Sequence, residues 1–384
     1  MHRWNPQQFR KAAEEQGVAP KVVENAISCA EITRSVDPRL PPLFSLRHLA
    51  HYVEADYSLL RKAVARSGDE PYTTFKLKKN GKRAYRIICV PDIFLLEVQR
   101  WIAQNILAFG TPHHSSVAYA KNCNIVDAAS VHCGCRWLIK LDVANFFESF
   151  SEIAVYRVFR SLGYQALISF EMARLCTRLG AHTKTRSGNR WEVRDDRIYK
   201  IDGYKNCRIG HVPQGAPTSP MLTNLALREF DKDIGDIAAE YGMYYTRYAD
   251  DMFFSTKDLS FNREIGKKLI SRLYGRMKAE GFRPNISKTR IHPPGARKLV
   301  LGLLVDGAVP KLTREFRSKI RMHLYYMNKQ HIGPALHAQN RGFDSVMGLK
   351  NHVEGLINYA HQVQPDLGAR LRAEFKKIAW GASV

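Results

Sequence analysis

The chain lacks any stretch of about 18 uninterrupted apolar residues, so the reading of a helix-spanning membrane protein is excluded. Its opening, Met1-His2-Arg3-Trp4-Asn5-Pro6, has no apolar run leading to a small-residue cleavage site, and no secretory leader is expected. Cysteine is sparse and odd in number: Cys29, Cys89, Cys123, Cys133, Cys135, Cys176 and Cys207 are scattered and form no disulfide framework, as suits a reducing cytoplasm. No internal repeat or low-complexity tract is present. Acidic residues are also short, with Asp+Glu at 36 against Lys+Arg at 59, leaving a formal charge of +23. A field of that size attracts polyanions, nucleic acid first and anionic membrane second. No basic amphipathic segment stands out as a membrane anchor.

What is present is an ordinary globular composition, 45% hydrophobic and 10% aromatic, able to offset the entropy of ordering a core. The 384 residues imply two or three domains at about 150 residues each. His132-Cys133-Gly134-Cys135 invites a zinc reading, but no second metal-binding half accompanies it, so buried free thiols are the expectation.

Along the chain the hydrophobic period changes several times. Helical patterns cover 9–15, 21–32, 46–53 and 59–64, with Asp56 placed to cap the last. Two β-prone runs, 72–78 and 84–90, flank Lys79-Asn80-Gly81-Lys82, a strong hairpin signal. A helix is expected over 93–107. A short apolar strand, 137–141, then runs into Asp142, and helices follow over 151–162 and 165–179. Residues 181–206 are charged and read as an inserted loop or ribbon. One long helix is expected over 217–240, a hairpin over 243–255 with Ala249-Asp250-Asp251 at its tip, and a helix over 261–280. Runs at 299–305 and 308–309 surround Asp306-Gly307 as a third hairpin, and from Thr313 the chain is helical and basic. Mixed helices and antiparallel hairpins indicate an α+β class rather than an alternating doubly wound sheet.

The chemistry is carried by aspartates. Asp142 ends a strand, and Asp250 and Asp251 occupy a hairpin tip, places that hold charge rigidly beside a core. Any one of them alone reads as a turn residue or helix cap. Converging carboxylates repel unless cations neutralise them, and oxygen-only ligands favour Mg²⁺ or Mn²⁺ over zinc. Two such ions activate a 3′-hydroxyl and stabilise a leaving pyrophosphate.

Three stretches in series sharpen this: Asp142-Val143-Ala144-Asn145-Phe146-Phe147, then Val212-Pro213-Gln214-Gly215-Ala216-Pro217-Thr218-Ser219-Pro220, then Tyr248-Ala249-Asp250-Asp251. Together they resemble the palm motifs of reverse transcriptases in their usual order. Residues 75–86 resemble the fingers hairpin of bacterial members, Asn285-Ile286-Ser287-Lys288-Thr289 the lysine-bearing segment after the catalytic hairpin, and 301–306 the primer grip. The chain is most similar to retron reverse transcriptases. It departs from their Asn-Ala-x-x-His pattern by Ala128 before Ala129 and His132, and from their Val-Thr-Gly signature by Leu301 between Val300 and Gly302. Group II intron-like and phage-defence enzymes therefore stay open, as do a template-independent nucleotidyltransferase and an RNA-binding scaffold with a disused palm.

The resemblance implies a right-hand polymerase fold: an N-terminal helical region over 1–66, fingers over 67–136, a palm over 137–296 carrying the charged insertion, and a primer grip and basic thumb over 297–384. It implies Asp142, Asp250 and Asp251 as catalytic acids, with Val143 lending a backbone carbonyl to the metals. Phe147 takes the steric-gate position against a ribose 2′-hydroxyl. Gln214 and Gly215 line the nascent base pair. Arg86, with Lys76 or Lys78, reaches the incoming dNTP, since a guanidinium fork suits phosphate oxygens. Lys288 serves as a proton donor to pyrophosphate or as a phosphate contact. Lys311, Arg314, Arg317, Lys319 and Arg321 with Tyr325 and Tyr326 suit backbone contact and stacking in a thumb that grips duplex and RNA stem-loop. The implied activity is RNA-directed DNA synthesis with two Mg²⁺ ions on a structured non-coding RNA. In the retron case that carries a branched RNA–DNA product, a role in antiphage defence and a defence effector protein as partner.

Overall fold

The computed structural model describes residues 4–78, 85–121, 123–180, 189–194, 198–199 and 201–380. Four helices open the chain: α1 Pro6–Glu15, α2 Pro20–Val36, α3 Leu46–Tyr52 and α4 Tyr57–Ala65. Their starts follow local chemistry. Asn5 and Ser45 accept amide hydrogen bonds, Pro6 and Pro20 take first-turn positions, and Asp56 caps α4 through the amides of Ser58 and Leu59. Strands β1 Tyr72–Lys78 and β2 Tyr85–Pro91 form the expected antiparallel hairpin, pairing Lys78 with Tyr85. Its Asn80-Gly81 turn lies outside the described residues, as does much of the charged insertion. What is described of that insertion is ribbon-like, with Val193 bonded to Cys207 and Glu192 bridged to Arg208, anchored by buried Trp191 and Tyr204.

Helices α5 Ile93–Asn105 and α6 Ile125–Ser130 precede strand β3 Trp137–Asp142, and α7 Glu152–Ser161 and α8 Ala166–Leu175 follow it. The long helix expected over 217–240 is two, α9 Ser219–Ala226 and α10 Arg228–Glu240, broken at Leu227. No Gly or Pro marks that break. It sits where the Asn224 side chain is held by the Ala118 carbonyl, a contact between distant segments.

Strands β4 Tyr244–Tyr248 and β5 Asp251–Thr256, helix α11 Arg263–Glu280 and strand β6 Arg290–His292 complete a four-stranded sheet in the order β4-β5-β3-β6. Every pairing between named strands is antiparallel, as the α+β reading requires. The sheet separates two cores. Ile139, Leu141, Met252 and Phe254 face a large cluster running from Leu40 to Phe282, whereas Leu138 and Phe253 face a second one reaching to Ile378. Both faces are covered, which is why β3 reads as a nearly continuous apolar run.

The third hairpin differs from expectation. Strands β7 Leu299–Val300 and β8 Leu303–Leu304 turn tightly at Leu301-Gly302, both with positive φ, and β9 Lys311–Leu312 pairs with β8 across the loop that contains Asp306-Gly307. A two-residue loop with two positive φ values normally shows Asn-Gly, and Leu301 conceals it. Helices α12 Arg314–Asn328, α13 Gly333–Asn340, α14 Val346–Val363 and α15 Pro365–Lys376 then surround the second core.

His132 lies beneath the β4–β5 hairpin, fully buried. Its ring nitrogens bond Ser255 and Thr246, each at 2.7 Å, and burial holds its pKa down to about 4. Cys133 and Cys135 are buried free thiols, in line with the reading preferred over zinc. His132→Ala would strand both hydroxyls and leave a cavity, a loss of roughly 2–4 kcal/mol measurable by denaturant unfolding, while a zinc chelator leaves the melting temperature unchanged.

Candidate active site

Antiparallel pairing of β3 with β5 places Asp142 directly opposite Asp251, on one face of the sheet with Lys140. Asp250 belongs to the two-residue loop between β4 and β5, and its carbonyl accepts the Val143 amide at 3.1 Å. Asp142 is thereby brought beside Asp250 and Asp251, more than a hundred residues further along the chain. The loop itself is strained: Ala249 has φ +53°, in the left-handed region where such loops usually place glycine, at a cost of about 1–2 kcal/mol.

The acids are not equivalent. Asp142 is almost fully buried, accepts from Asn285 Nδ2 at 2.7 Å and pairs with Lys288. Asp251 pairs with Lys140 at 2.9 Å. Burial works against the charge of Lys288, but its bond to Asp142 and the fields of Asp250 and Asp251 outweigh that and hold its pKa above the ordinary lysine value. Asp250 is pushed up to about 6, first by burial, then by Asp142 and Asp251. Oxygen-only donors of this kind suit hard divalent cations. Among the described residues, however, no three such side chains close on a single point, with Asp142 turned to Lys288 and Asn285 and Asp251 to Lys140.

The remaining expected residues fall into three places. Phe147 begins a 3₁₀ turn just past Asn145, half-buried, its ring edge-on to Phe146 at 5.3 Å. Gln214 and Gly215 lie against strand β2: the Gln214 carbonyl accepts the Cys89 amide at 2.8 Å, and a Cβ on Gly215 (φ +116°) would stand 2.8 Å from Ile88 and 3.0 Å from the Cys89 carbonyl oxygen. Glycine is thus required here by packing alone. Arg86 shares the face of Ile88, opposite Leu77, whereas Lys76 and Lys78 pair with Ile87 and Tyr85 on the other face of the hairpin.

On α12 the basic set also divides. Arg314, Arg317, Arg321 and Tyr325 follow one another at helical spacing along one flank. Lys319 and Tyr326 lie on the other, with Tyr326 stacked on His337 at 5.5 Å, and Lys311 is on β9.

Four neighbours of the site were not singled out by sequence: Lys140, Asn285, Arg247 and Tyr119. Tyr119 has φ +61° and stands 5.9 Å from the Tyr248 ring. Its pKa is raised by burial and by Tyr248 and Asp250, against the opposing fields of Arg247 and Arg86. Only Asn285 carried a signal, as part of the segment that bears Lys288.

An acid with a raised folded-state pKa binds more protons folded than unfolded between its two values. Asp250 therefore lowers stability as pH rises from about 4 through about 6, by about 1–3 kcal/mol in full. Asp250→Asn should melt above the native chain in metal-free buffer at pH 7–8, with the gap closing towards pH 4. A gap independent of pH would show that Asp250 does not carry this strain.

The reverse transcriptase (RNA-dependent DNA polymerase) family matches residues 77–303, more than half of the chain. The retron Ec86 reverse transcriptase of Escherichia coli is 28% identical over 75% of this chain and 79% of its own length. The retron Mx65 reverse transcriptase of Myxococcus xanthus is 28% identical over 78% of this chain and 63% of its own. Among solved structures, telomerase from Candida albicans in complex with a fragment of telomeric RNA aligns at a TM-score of 0.42 and 12% identity, covering 80% of this chain and 56% of that one. With the Asp142 motif on β3 and the Asp250-Asp251 motif at the β4–β5 loop of one antiparallel sheet between two helical cores, the chain belongs to the reverse transcriptase (RNA-dependent DNA polymerase) family, has its right-hand polymerase fold and is similar to bacterial retron reverse transcriptases.

Proposed function

We propose that the chain copies a structured partner RNA into DNA by two-metal nucleotidyl transfer at Asp142, Asp250 and Asp251. The observation that carries this reading is the strand pairing that sets Asp142 opposite Asp251, with the carbonyl of the neighbouring Asp250 accepting the Val143 amide. Asp142 and Asp250 are the primary metal ligands, with Asp251 and the Val143 carbonyl completing the set. The ions, when bound, lower the pKa of the primer 3′-hydroxyl and stabilise the leaving pyrophosphate. Lys288 beside Asp142 and Lys140 beside Asp251 would serve as counter-charges to the acids that would hold the ions. Lys288, protonated across the neutral range, is then placed to donate to pyrophosphate or to hold a phosphate.

The other roles follow from position. Phe147 crowds a ribose 2′-hydroxyl. Gly215 and Gln214 line the nascent pair against β2. Arg86, on the face of the hairpin that looks towards Gly215, takes the triphosphate. Lys76 and Lys78, on the opposite face, contact nucleic-acid phosphates elsewhere in the complex. The flank of Arg314, Arg317, Arg321 and Tyr325 grips the duplex backbone, with Lys311, Lys319 and Tyr326 extending the contact to an RNA stem-loop. We place the protein in the cytoplasm, with dNTPs as substrates, Mg²⁺ as the metal and Mn²⁺ as its substitute. Its template is a non-coding RNA, its product an RNA–DNA hybrid, and its setting antiphage defence beside an effector protein.

Two measurements test this. Asp250→Asn should abolish primer extension on RNA while RNA affinity stays within about twofold of native, about 0.4 kcal/mol; retained synthesis would remove the two-metal assignment. Phe147→Ala should raise ribonucleotide incorporation at least about tenfold relative to deoxyribonucleotide, roughly 1.4 kcal/mol of discrimination. Unchanged sugar selectivity would make the ring a core residue only.

A further inference from the structure

Beneath the β4–β5 loop lies an ion pair that neither the motifs nor the roles above include. Arg247 and Asp231 are both fully buried, and Arg247 is among the largest buried side chains of the protein. The pairing is a fork: Arg247 Nε donates to Asp231 Oδ1 at 2.7 Å and Nη2 to Oδ2 at 2.6 Å, and the Tyr245 hydroxyl adds a bond to Oδ1 at 2.8 Å. Asp231 is on α10, so the guanidinium plane is fixed by a helix outside the β4–β5 hairpin.

The remaining nitrogen of the fork is directed at the loop. Arg247 Nη1 donates to the Ala249 carbonyl at 3.2 Å and to Asn224 Oδ1 at 3.1 Å. The Ala249 carbonyl belongs to the peptide plane that joins Ala249 to Asp250. Gripping that oxygen sets the rotation of the plane, and so the direction in which Asp250 leaves the strained Ala249. Asn224 in turn accepts from Ser116 and donates to the Ala118 carbonyl, while the Arg247 backbone accepts from Val117 and donates to Ser115. The same residue thus docks the segment leading to Tyr119.

We propose that Arg247, held by Asp231, is a positioning residue that aims Asp250 through the Ala249 carbonyl and seats the segment 115–118 beside it. The proposal rests on Asp250 being a catalytic acid. A buried ion pair is a poor device for stability alone, because apolar residues of similar volume commonly do as well. What apolar residues cannot supply is a donor fixed in direction. Lysine cannot supply it either, because it lacks the planar fork.

The test uses the full chain extending oligo(dT) on poly(rA), with thermal unfolding alongside. The double variant Arg247→Met with Asp231→Leu replaces the pair by apolar volume, and Arg247→Lys keeps the charge without the fork. Variants that melt close to the native chain yet lose at least about tenfold in kcat, with KM for dTTP within about twofold and a raised Mg²⁺ requirement, support the proposal. A folded variant with native kcat overturns it. Loss of the folded state in both variants assigns the pair to folding and overturns it equally. Asp250→Asn, assayed in parallel, separates the two levels. If that variant is active, the catalytic reading itself fails; if it is inactive while the Arg247 variants are fully active, only the positioning role fails.

Discussion

The register of β3 against β5 is the constraint from which the site follows. Side chains alternate faces with a period of two, so a slip of one residue would send Asp142 and Asp251 to opposite sides of the sheet. The slip is prevented by apolar side chains on both faces: Leu138 and Phe253 belong to one core, Ile139 and Phe254 to the other. Each fully buried side chain of that size contributes roughly 1.5–3 kcal/mol, and a slipped register would misplace several at once. Packing thus enforces an electrostatically unfavourable outcome, two carboxylates facing each other across a strand pair.

That cost is contained by where the cations are. Lys140 stands on the face of Asp142 and Asp251 and pairs with the latter, and Lys288 arrives from the segment after α11 to pair with Asp142. Asp250 is pushed up to about 6, first by burial and then by the fields of Asp142 and Asp251, with Lys288 opposing. Two of the acids thus have an ammonium partner in contact, and the charge of the third is opposed by burial.

The excess positive charge of the chain serves a different purpose from the pairs inside it. Arg66 with Glu152, Arg178 with Glu70 and Arg247 with Asp231 are internal or nearly so and bind elements to one another. Arg314 and Arg321 on one flank of α12, both exposed, and the basic hairpin of β1 and β2 are where a polyanion can be met. Net charge announced a nucleic-acid partner without distinguishing these two populations, because burial and pairing are not properties of composition.

Local chemistry was sufficient for the cap at Asp56, for the alternation and turn signals of the first two hairpins, and for the order of the palm motifs. It misled where a residue stood in an unusual conformation: Leu301 at positive φ hid the turn that Asp306-Gly307 seemed to offer, and the helix break at Leu227 has no breaker in sequence. The sequence by itself determined which candidate residues are present and their chain order, since type and spacing are written in it. Only the tertiary structure decided which of them meet and which faces they share: Asp142 opposite Asp251, Arg86 on the face of the hairpin away from Lys76 and Lys78, and Arg247 under the Ala249 carbonyl. Those relations depend on strand register and on contacts between residues tens to more than a hundred positions apart, which packing of the whole chain selects and no local pattern encodes.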